Sequence, residues 1–150
     1  LQRLLVAPEG VHAQALCELR RGQKQTHWMW FVFPQIDGLA VSHTARYYAI
    51  KSANEAEAYL HHPTLGKRLM ASCEVILDIE WKTAIEILGC PDNLKLRSSA
   101  TLFSAVSPKN SVFSRVIAKF FEGRPDQRTL DLLETEAQRE VPSSSPTRPR

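Results

Sequence analysis

Residues 22–37, GQKQTHWMWFVFPQID, decide how the rest of the chain is interpreted. These residues include two Trp, two Phe and one Met, and their apolar positions show no helical periodicity. In an extended backbone, successive side chains point to opposite sides, and here both sides would be apolar. The pattern therefore predicts an extended segment that is buried on both faces, a hydrophobic spine around which helices pack.

The same segment also has the features of a binding site. Trp is large and seldom fully buried, and its indole N–H needs a hydrogen-bond partner. Lys24, His27 and Gln35 place polar groups at both ends of the aromatic run. The alternative prediction is that Trp28 or Trp30 stays partly open as a stacking platform. His27 alone is more often a satisfied core residue than a catalyst.

Outside this segment, the sequence predicts helices joined by short breaks. Apolar residues recur at helical spacing, and Ser, Thr or Asp residues stand where helices would begin. The predicted helices cover residues 8–22, 42–48, 53–60, 63–77, 83–89, 91–106, 110–123 and 126–138. No pair of alternating segments joined by an Asn-Gly or Asp-Gly turn predicts a β-hairpin. The fold class expected is therefore all-α, a compact multihelical single domain with an irregular central aromatic segment.

The domain is expected to cover residues 1–140. From Val141 onward the composition changes to Pro, Ser, Thr and Arg. Such a segment cannot bury enough apolar surface to offset the entropy of ordering it. We therefore predict that residues 141–150 form a disordered tail that folding does not require.

Composition excludes several classes of function. The chain has 150 residues, of which 43% are hydrophobic and 23% charged, as in ordinary globular proteins. The net charge is +3, and Arg148 and Arg150 supply +2 of it, which leaves +1 for the other residues. A dedicated nucleic-acid surface would concentrate Lys and Arg, and a membrane span needs about 20 apolar residues. We expect no nucleic-acid or membrane partner, and nothing indicates an oligomeric state.

Neither the cysteines nor any known catalytic motif predicts a disulfide, a metal site or a cofactor. Cys17, Cys73 and Cys90 form no CxxC pair, so neither a disulfide framework nor a zinc site is expected. We interpret all three as buried thiols in a reducing compartment, and therefore predict a cytoplasmic protein. The HExxH, GxSxG, Walker and GxGxxG motifs are absent from the sequence, so no metal or cofactor is expected.

A second group of candidate site residues follows Pro91. Asp92 stands before a predicted helix, where an N-cap is its simplest role. Lys95 and Ser99 follow at helical spacing, so the three side chains would share one face at a helix N-terminus, an arrangement that suits anions or hydroxyl groups. Ser98 and Thr101 are unusual in a helix interior unless they form hydrogen bonds. His61 and His62 are adjacent and make no metal-binding pair.

These residues resemble a bacterial and fungal family without an assigned function, whose members are often labelled "calpastatin". The resemblance covers residues 1–133 and implies a compact multihelical domain, but no reaction, ligand or partner. Its departures from the family pattern lie at Pro8, Ala40 and Ala100. The matching segments are Gly22-x-Lys24-x-x-His27-Trp28-Met29-Trp30-Phe31-x-Phe33-Pro34-Gln35, Tyr48-Ala49-Ile50, Glu55-Ala56-x-Ala58-Tyr59-Leu60, His62-Pro63-x-Leu65-Gly66-x-Arg68-Leu69 and Asp92-x-x-Lys95-x-x-Ser98-Ser99-x-Thr101-Leu102-Phe103.

The calpastatin label conflicts with the physical character of the chain. Inhibitors of that name are long, disordered and repetitive. This chain is short, carries apolar helical stripes and lacks internal repeats. We expect no inhibition of calpain.

The leading hypothesis is a domain that binds, and in one version hydrolyses, a nucleotide-like or other anionic ring-bearing ligand in a single pocket. Trp28 or Trp30 would stack the ring, and Asp92 or His27 would act as acid or base, as in an N-glycosidase. The alternative is a non-catalytic protein-interaction domain that uses an exposed apolar helix face. The candidate ligand-binding residues are Lys24, Trp28, Trp30, Gln35, Arg46, His62, Lys95, Ser98 and Ser99.

Overall fold

The prediction of an all-α fold is confirmed. A computed structural model describes residues 1–6 and 10–140 of the chain. Within these residues there are ten helices: α1 (Gln2–Leu5), α2 (Val11–Arg20), α3 (Met29–Val32), α4 (His43–Tyr48), α5 (Ala53–His61), α6 (Leu65–Leu77), α7 (Ala84–Leu88), α8 (Asp92–Ala105), α9 (Val112–Phe121) and α10 (Gln127–Glu140). The expected start of the first long helix at Pro8 and the expected tail at 141–150 lie outside the described residues.

Capping residues explain where several helices begin. Ser42 accepts a hydrogen bond from the Ala45 N–H, and Thr83 and the third residue of its helix, Glu86, form a complete capping box. Ser52 accepts from the Glu55 N–H, as expected. The Glu55 carboxylate, however, reaches the N–H of Lys51 instead of that of Ser52, so only half of the predicted box is present.

The core lies where α8 packs against α9 and where α6 packs against α2, α5 and α9. Leu96, Leu102 and Phe103 on α8 are fully buried. The Phe103 ring lies 5.3 Å from the ring of Tyr59 and 5.6 Å from that of Phe113, measured between centroids. Tilted aromatic contacts of this kind stabilise a core beyond the burial of their area. They join α5, α8 and α9 around one centre.

The aromatic segment is buried, but it is not extended. Residues Met29–Val32 form the single helical turn α3, in which the N–H of Val32 donates to the Trp28 carbonyl at 2.9 Å. Met29, Phe31 and Phe33 are each at most 6% exposed. The predicted burial is therefore present except at the half-buried Trp30, whereas the predicted alternation is wrong, because a helical turn distributes these side chains around its axis.

A short main-chain pairing fixes the chain after this turn. Ile36 and Ile50 form an isolated parallel bridge in which the N–H of Ile50 donates to Gln35 and the N–H of Asp37 donates to Ile50, both at 2.8 Å. This pairing satisfies main-chain groups that would otherwise be buried without partners. It places Gln35 beside the chain that leads into α5.

The corner between α5 and α6 depends on a glycine. A Cβ atom added at Gly66 would lie 2.1 Å from the main-chain oxygen of Leu60, a distance that no real side chain allows. The absence of a side chain at Gly66 therefore lets the two helices approach each other closely.

An ion pair anchors the N-terminal helix to α5. The two terminal guanidinium nitrogens of Arg3 donate to the Glu55 carboxylate, at 2.6 and 2.9 Å. Arg3 also donates to the main-chain oxygens of Tyr47 and Ala49. The hydrogen bond from Arg3 and the N–H of Lys51 overcome the effect of burial and hold the pKa of Glu55 below its usual value.

The cysteines only partly match the prediction of three buried thiols. Cys73 is buried, Cys17 is half-buried and Cys90 is exposed, so the prediction is wrong for Cys90. Burial raises the pKa of the Cys73 thiol, which keeps it protonated and unreactive. Over the described part of the chain, no group of three or more His, Cys, Asp or Glu residues is placed to hold a metal ion. Nor does any helix there combine the length and apolar composition that a bilayer crossing requires.

The buried spine makes a quantitative prediction. Phe33→Ala should lower the free energy of unfolding by about 3–5 kcal/mol, because the ring is 1% exposed and its removal leaves a cavity. Urea denaturation measures this change. Val41→Ala serves as the control, since Val41 is 83% exposed and should shift stability by less than about 0.5 kcal/mol. Equal effects of the two substitutions would contradict the assignment of Phe33 to the core.

Candidate functional site

The aromatic segment is held by a buried carboxylate. Glu18 on α2 is 2% exposed and accepts five hydrogen bonds. The donors are the side-chain amide of Gln14 at 2.9 Å, the N–H groups of Gln25 and Thr26 at 2.7 and 3.0 Å, the Thr26 hydroxyl at 2.5 Å and the indole N–H of Trp28 at 2.8 Å. The loop between α2 and α3 is therefore wrapped around a single charged group.

These bonds determine the protonation state of Glu18. Burial alone would raise its pKa, because a low-dielectric environment disfavours the charged form. The donors of Gln25, Thr26 and Gln14 outweigh burial and bring the pKa of Glu18 well below its ordinary value. The carboxylate is therefore ionised throughout the neutral and mildly acidic range.

Trp28 is part of this network and is not a stacking platform. Its side chain is 1% exposed, and its N–H is satisfied by Glu18. The prediction of an open tryptophan fails at this position because the buried carboxylate supplies the partner that the indole needs.

Trp30 is half-buried and already stacked within the protein. Its ring lies 4.7 Å from that of Tyr48 with an interplanar angle of 29°. The Tyr48 ring also meets Phe31 edge-on at 6.3 Å. One face of Trp30 is thus occupied by α4, so this residue contributes more to packing α3 against α4 than to an open site.

Lys24 and Asp92 form an ion pair beside Trp28. The Lys24 ammonium lies 2.9 Å from the Asp92 carboxylate and 5.3 Å from the centroid of the Trp28 ring. Their side chains are only 9% and 18% exposed. Asp92 also lies 3.5 Å from the ammonium of Lys95. The predicted proximity of Asp92 to Lys95 is therefore present, and Lys24 links Asp92 to Trp28.

Asp92 does not cap its helix. Helix α8 begins at Asp92 itself, Pro91 is the N-cap residue, and no side-chain capping bond is formed. The N-cap interpretation is wrong because the carboxylate turns toward Lys24 and away from the main chain. In the first turn of α8 its negative charge still interacts favourably with the helix dipole.

The hydroxyl groups of α8 mostly form hydrogen bonds within the helix. Ser98 donates to the Leu94 carbonyl at 3.2 Å, and Thr101 donates to the Arg97 carbonyl and accepts from the Asp126 N–H, both at 2.8 Å. Ser99 is 1% exposed and belongs to the core. Asp92, Lys95 and Ser99 therefore do not form one open patch.

Three predicted residues do converge on one groove of about 300 Å³, which we call the Lys95 groove. Gln35 comes from the aromatic segment, whereas Lys95 and Ser98 come from α8. Arg128 from α10 adds a second cation. The complete lining is Gln35, Leu39, Ala40, Pro91, Leu94, Lys95, Ser98, Asp126 and Arg128.

The remaining predicted residues lie elsewhere. His27 is exposed and lines a different groove, together with Thr26 and the edge of Trp28. Arg46 is exposed on α4. The Nδ1 atom of His62 accepts from the N–H groups of Thr64 and Leu65 at 3.1 and 3.2 Å, so His62 caps α6. The structure therefore does not gather the candidates into the single pocket that we expected.

Sequence reasoning missed two residues with unusual environments. Glu18 interrupts the apolar stripe of α2 directly before Leu19, and this acidic residue on a buried face was the available signal. Trp81 lies in the loop before α7 and is 96% exposed. No periodic pattern covers a loop, so its exposure could not be read from the sequence.

Comparison with known proteins adds a fold neighbour and a family. The sequence model of a family described as "Protein of unknown function (DUF1810)" matches residues 1–133. The fold is similar to the crystal structure of the conserved hypothetical protein Rv1873 from Mycobacterium tuberculosis, with a TM-score of 0.86 and 43% sequence identity. That match covers 89% of this chain and 95% of the other. A search of curated proteins found no significant match.

The Glu18 network predicts a specific dependence of stability on pH. Glu18→Gln should lower the free energy of unfolding by about 2–4 kcal/mol at neutral pH. The NH2 group of the new side chain would face buried N–H and O–H groups, and two donors cannot form a hydrogen bond with each other. The native pKa of Glu18 is depressed, so its contribution to stability is complete above the unfolded pKa of about 4.3 and is lost progressively as pH falls from there toward the lower native pKa.

The difference between wild type and Glu18→Gln should therefore shrink between about pH 5 and pH 3, as measured by urea denaturation. Glu80→Gln is the control, since the Glu80 side chain is 68% exposed. A difference that stays constant as the solution is acidified would show that the charge of Glu18 is not what matters.

The Lys24–Asp92 pair predicts a measurable coupling energy. In a double-mutant cycle with Lys24→Met and Asp92→Asn, we expect about 1–2 kcal/mol, because each single change leaves a charge in a poorly solvated place. Chemical denaturation of the four proteins gives the value. The exposed pair Glu122–Arg124, whose side chains are 82% and 76% exposed, should give a value near zero. A similarly small coupling energy for both pairs would show that the ion pair of Lys24 with Asp92 does not stabilise the fold.

Proposed function

Because this chain belongs to the DUF1810 family of proteins of unknown function, its ligand must be inferred from its own geometry, and we propose that it binds a small anionic ligand in the Lys95 groove. The observation that carries the proposal is the convergence of Gln35, Lys95 and Ser98, chosen from two distant sequence segments, on one groove.

The charges around the groove favour a negative ligand. In the lining, Lys95 and Arg128 are positive and Asp126 is negative, which leaves one positive charge in excess. Asp126 is occupied, since one of its carboxylate oxygens accepts from both the N–H and the hydroxyl of Thr129. Asp92 is shared between two ammonium groups. A ligand carboxylate or phosphate would accept charge-assisted hydrogen bonds from Lys95 and Arg128.

The shape of the groove limits the size of the ligand. Its walls are partly apolar, with Leu39, Pro91 and the half-exposed Leu94 beside the polar groups. A volume of about 300 Å³ stands at the lower end of the range for small-molecule sites. A compact anion with one apolar or ring-shaped part, such as a sugar phosphate or a mononucleotide, suits these dimensions.

We propose binding without turnover. A general base needs a carboxylate whose lone pairs can reach the substrate, and those of Asp92 face Lys24 and Lys95. His27 lines a different groove, and no hydrogen bond joins it to Asp92 within the described residues. An N-glycosidase would need Asp92 or His27 as its acid or base, and neither residue lines the Lys95 groove. The calpastatin label also lacks support, because inhibitors of that name are long and disordered, whereas this chain is a folded helical domain.

A thermal-shift screen against sugar phosphates, mononucleotides and dicarboxylates tests the proposal. A ligand at about 100 times its Kd should stabilise the protein by about 2.7 kcal/mol. Lys95→Gln should fold normally, because its side chain is 39% exposed, and should lose most of the shift. Lys109→Gln is the matched control, since Lys109 is an exposed lysine outside the groove.

Three results would overturn the proposal. The first is a screen in which no anion shifts the wild-type protein, and the second is a shift that Lys95→Gln retains in full. The third is release of a free base from nucleosides or ADP-ribose that Asp92→Asn abolishes, since this would establish the glycosidase alternative.

A further inference from the structure

Trp81 is exposed in a way that folding does not explain. Its side chain is 96% exposed, so it buries almost no apolar area. Its backbone φ is 69°, in the left-handed region that costs free energy for any residue with a Cβ and suits glycine. Both properties oppose stability. A strained, exposed tryptophan is the kind of feature that persists at functional sites.

A groove of about 410 Å³ lies beside Trp81, and we call it the Trp81 groove. Glu80 and Lys82, the two chain neighbours of Trp81, both line it, so the main chain that carries the indole borders the groove. Val75 and Ile79 are half-buried and supply apolar surface. The complete lining is Arg20, Arg21, Gly22, Val75, Asp78, Ile79, Glu80 and Lys82.

Two of the five charged side chains that line this groove, those of Lys82 and Glu80, already have partners. The Lys82 ammonium donates to the Gly22 carbonyl at 2.9 Å. The Lys119 ammonium donates to the carbonyl of Leu77, the last residue of α6, and to that of Ile79, and it lies 3.7 Å from the Glu80 carboxylate. Lys119 thus satisfies two main-chain acceptors at the end of α6, and Lys82 satisfies one after α2.

The two arginines are different. Within the described residues, the guanidinium groups of Arg20 and Arg21 form no hydrogen bond or ion pair. Both residues are exposed. With Asp78, which also has no side-chain partner among the described residues, they leave one unengaged positive charge in excess in a groove bordered by the main chain of an exposed tryptophan. Trp and Arg are the residues enriched at the energetic centres of protein interfaces.

We infer that the Trp81 groove is a docking site for an acidic peptide segment that carries an apolar side chain. The apolar side chain would enter the groove over Val75 and Ile79 and pack against Trp81. Carboxylates of the peptide would pair with Arg20 and Arg21. The lining contains three cations and two carboxylates, so a positive excess remains for an acidic partner.

A peptide fits this surface better than a nucleic acid. A nucleic-acid backbone carries a negative charge at every nucleotide, and Asp78 and Glu80 would repel several of them. A peptide can place its carboxylates opposite the two arginines alone. This site shares no residue with the Lys95 groove, so it stands or falls independently of the ligand proposed there.

Two variants separate docking from folding. Trp81→Gly replaces a strained residue with the one that tolerates positive φ, so its melting temperature should equal or exceed that of the wild type. The double variant Arg20→Gln, Arg21→Gln removes the two unengaged charges from the surface. Arg115→Gln is the matched control, because Arg115 is exposed and lies outside the groove.

The experiment is a selection of random peptides displayed on phage against the wild-type protein, with Trp81→Gly as the counter-target. Enriched peptides should combine Asp or Glu with an aliphatic or aromatic residue. Synthetic copies should bind at least about tenfold more weakly to Trp81→Gly and to the double arginine variant, whereas Arg115→Gln should bind like the wild type.

The inference is overturned if no peptide distinguishes the wild type from Trp81→Gly, or if the selected peptides are basic or neutral. An oligothymidylate tested in parallel gives the other decisive result. Binding of this single strand that requires Trp81 would assign the surface to nucleic acid, in which bases stack on aromatic residues.

Discussion

The buried carboxylate of Glu18 is the constraint on which the arrangement of this domain depends. A charged group cannot be taken out of water without compensating donors, and five hydrogen bonds from four residues supply them. Those bonds fix the loop that enters α3 and orient the Trp28 indole. The face of that indole carries Lys24, and Lys24 reaches Asp92 at the start of α8. A single acidic residue on α2 thereby determines where the most polar end of α8 lies.

Much of the fold could be predicted from the sequence because its helices carry two independent signals. Apolar spacing and capping residues agree at Ser52, Thr83 and Ser111, and helices begin at all three places. The segment Met29–Val32 was misassigned because nearly every residue there is apolar. A pattern without polar positions has no period, so it cannot distinguish a helical turn from an extended strand. Short helices such as α1 are missed for the same reason, since four residues contain too little pattern.

The candidate site could be predicted only in part. Helical spacing correctly placed Lys95 beside Asp92, because both lie within one turn. The pairing of Asp92 with Lys24 joins segments that are distant in the chain, and no local rule predicts such a contact. Ser99 was misjudged because the spacing of a helix gives the relative directions of its side chains but not the side that faces the core. The net charge is similarly uninformative about binding sites. It does not distinguish lysines that donate to main-chain oxygens from Arg20 and Arg21, whose guanidinium groups have no such partner among the described residues.

The loop formed by Gln25 and Thr26 has no helical or strand hydrogen bonds, yet its amide groups are directed at a buried, ionised oxygen. Their hydrogens can exchange with solvent only when the Glu18 carboxylate is released, and its release also frees the Trp28 indole from the core. The opening free energy of these amides is therefore that of a large cooperative unit and not that of a mobile connection. Local disorder is therefore the wrong description of a loop whose main chain solvates a buried charge.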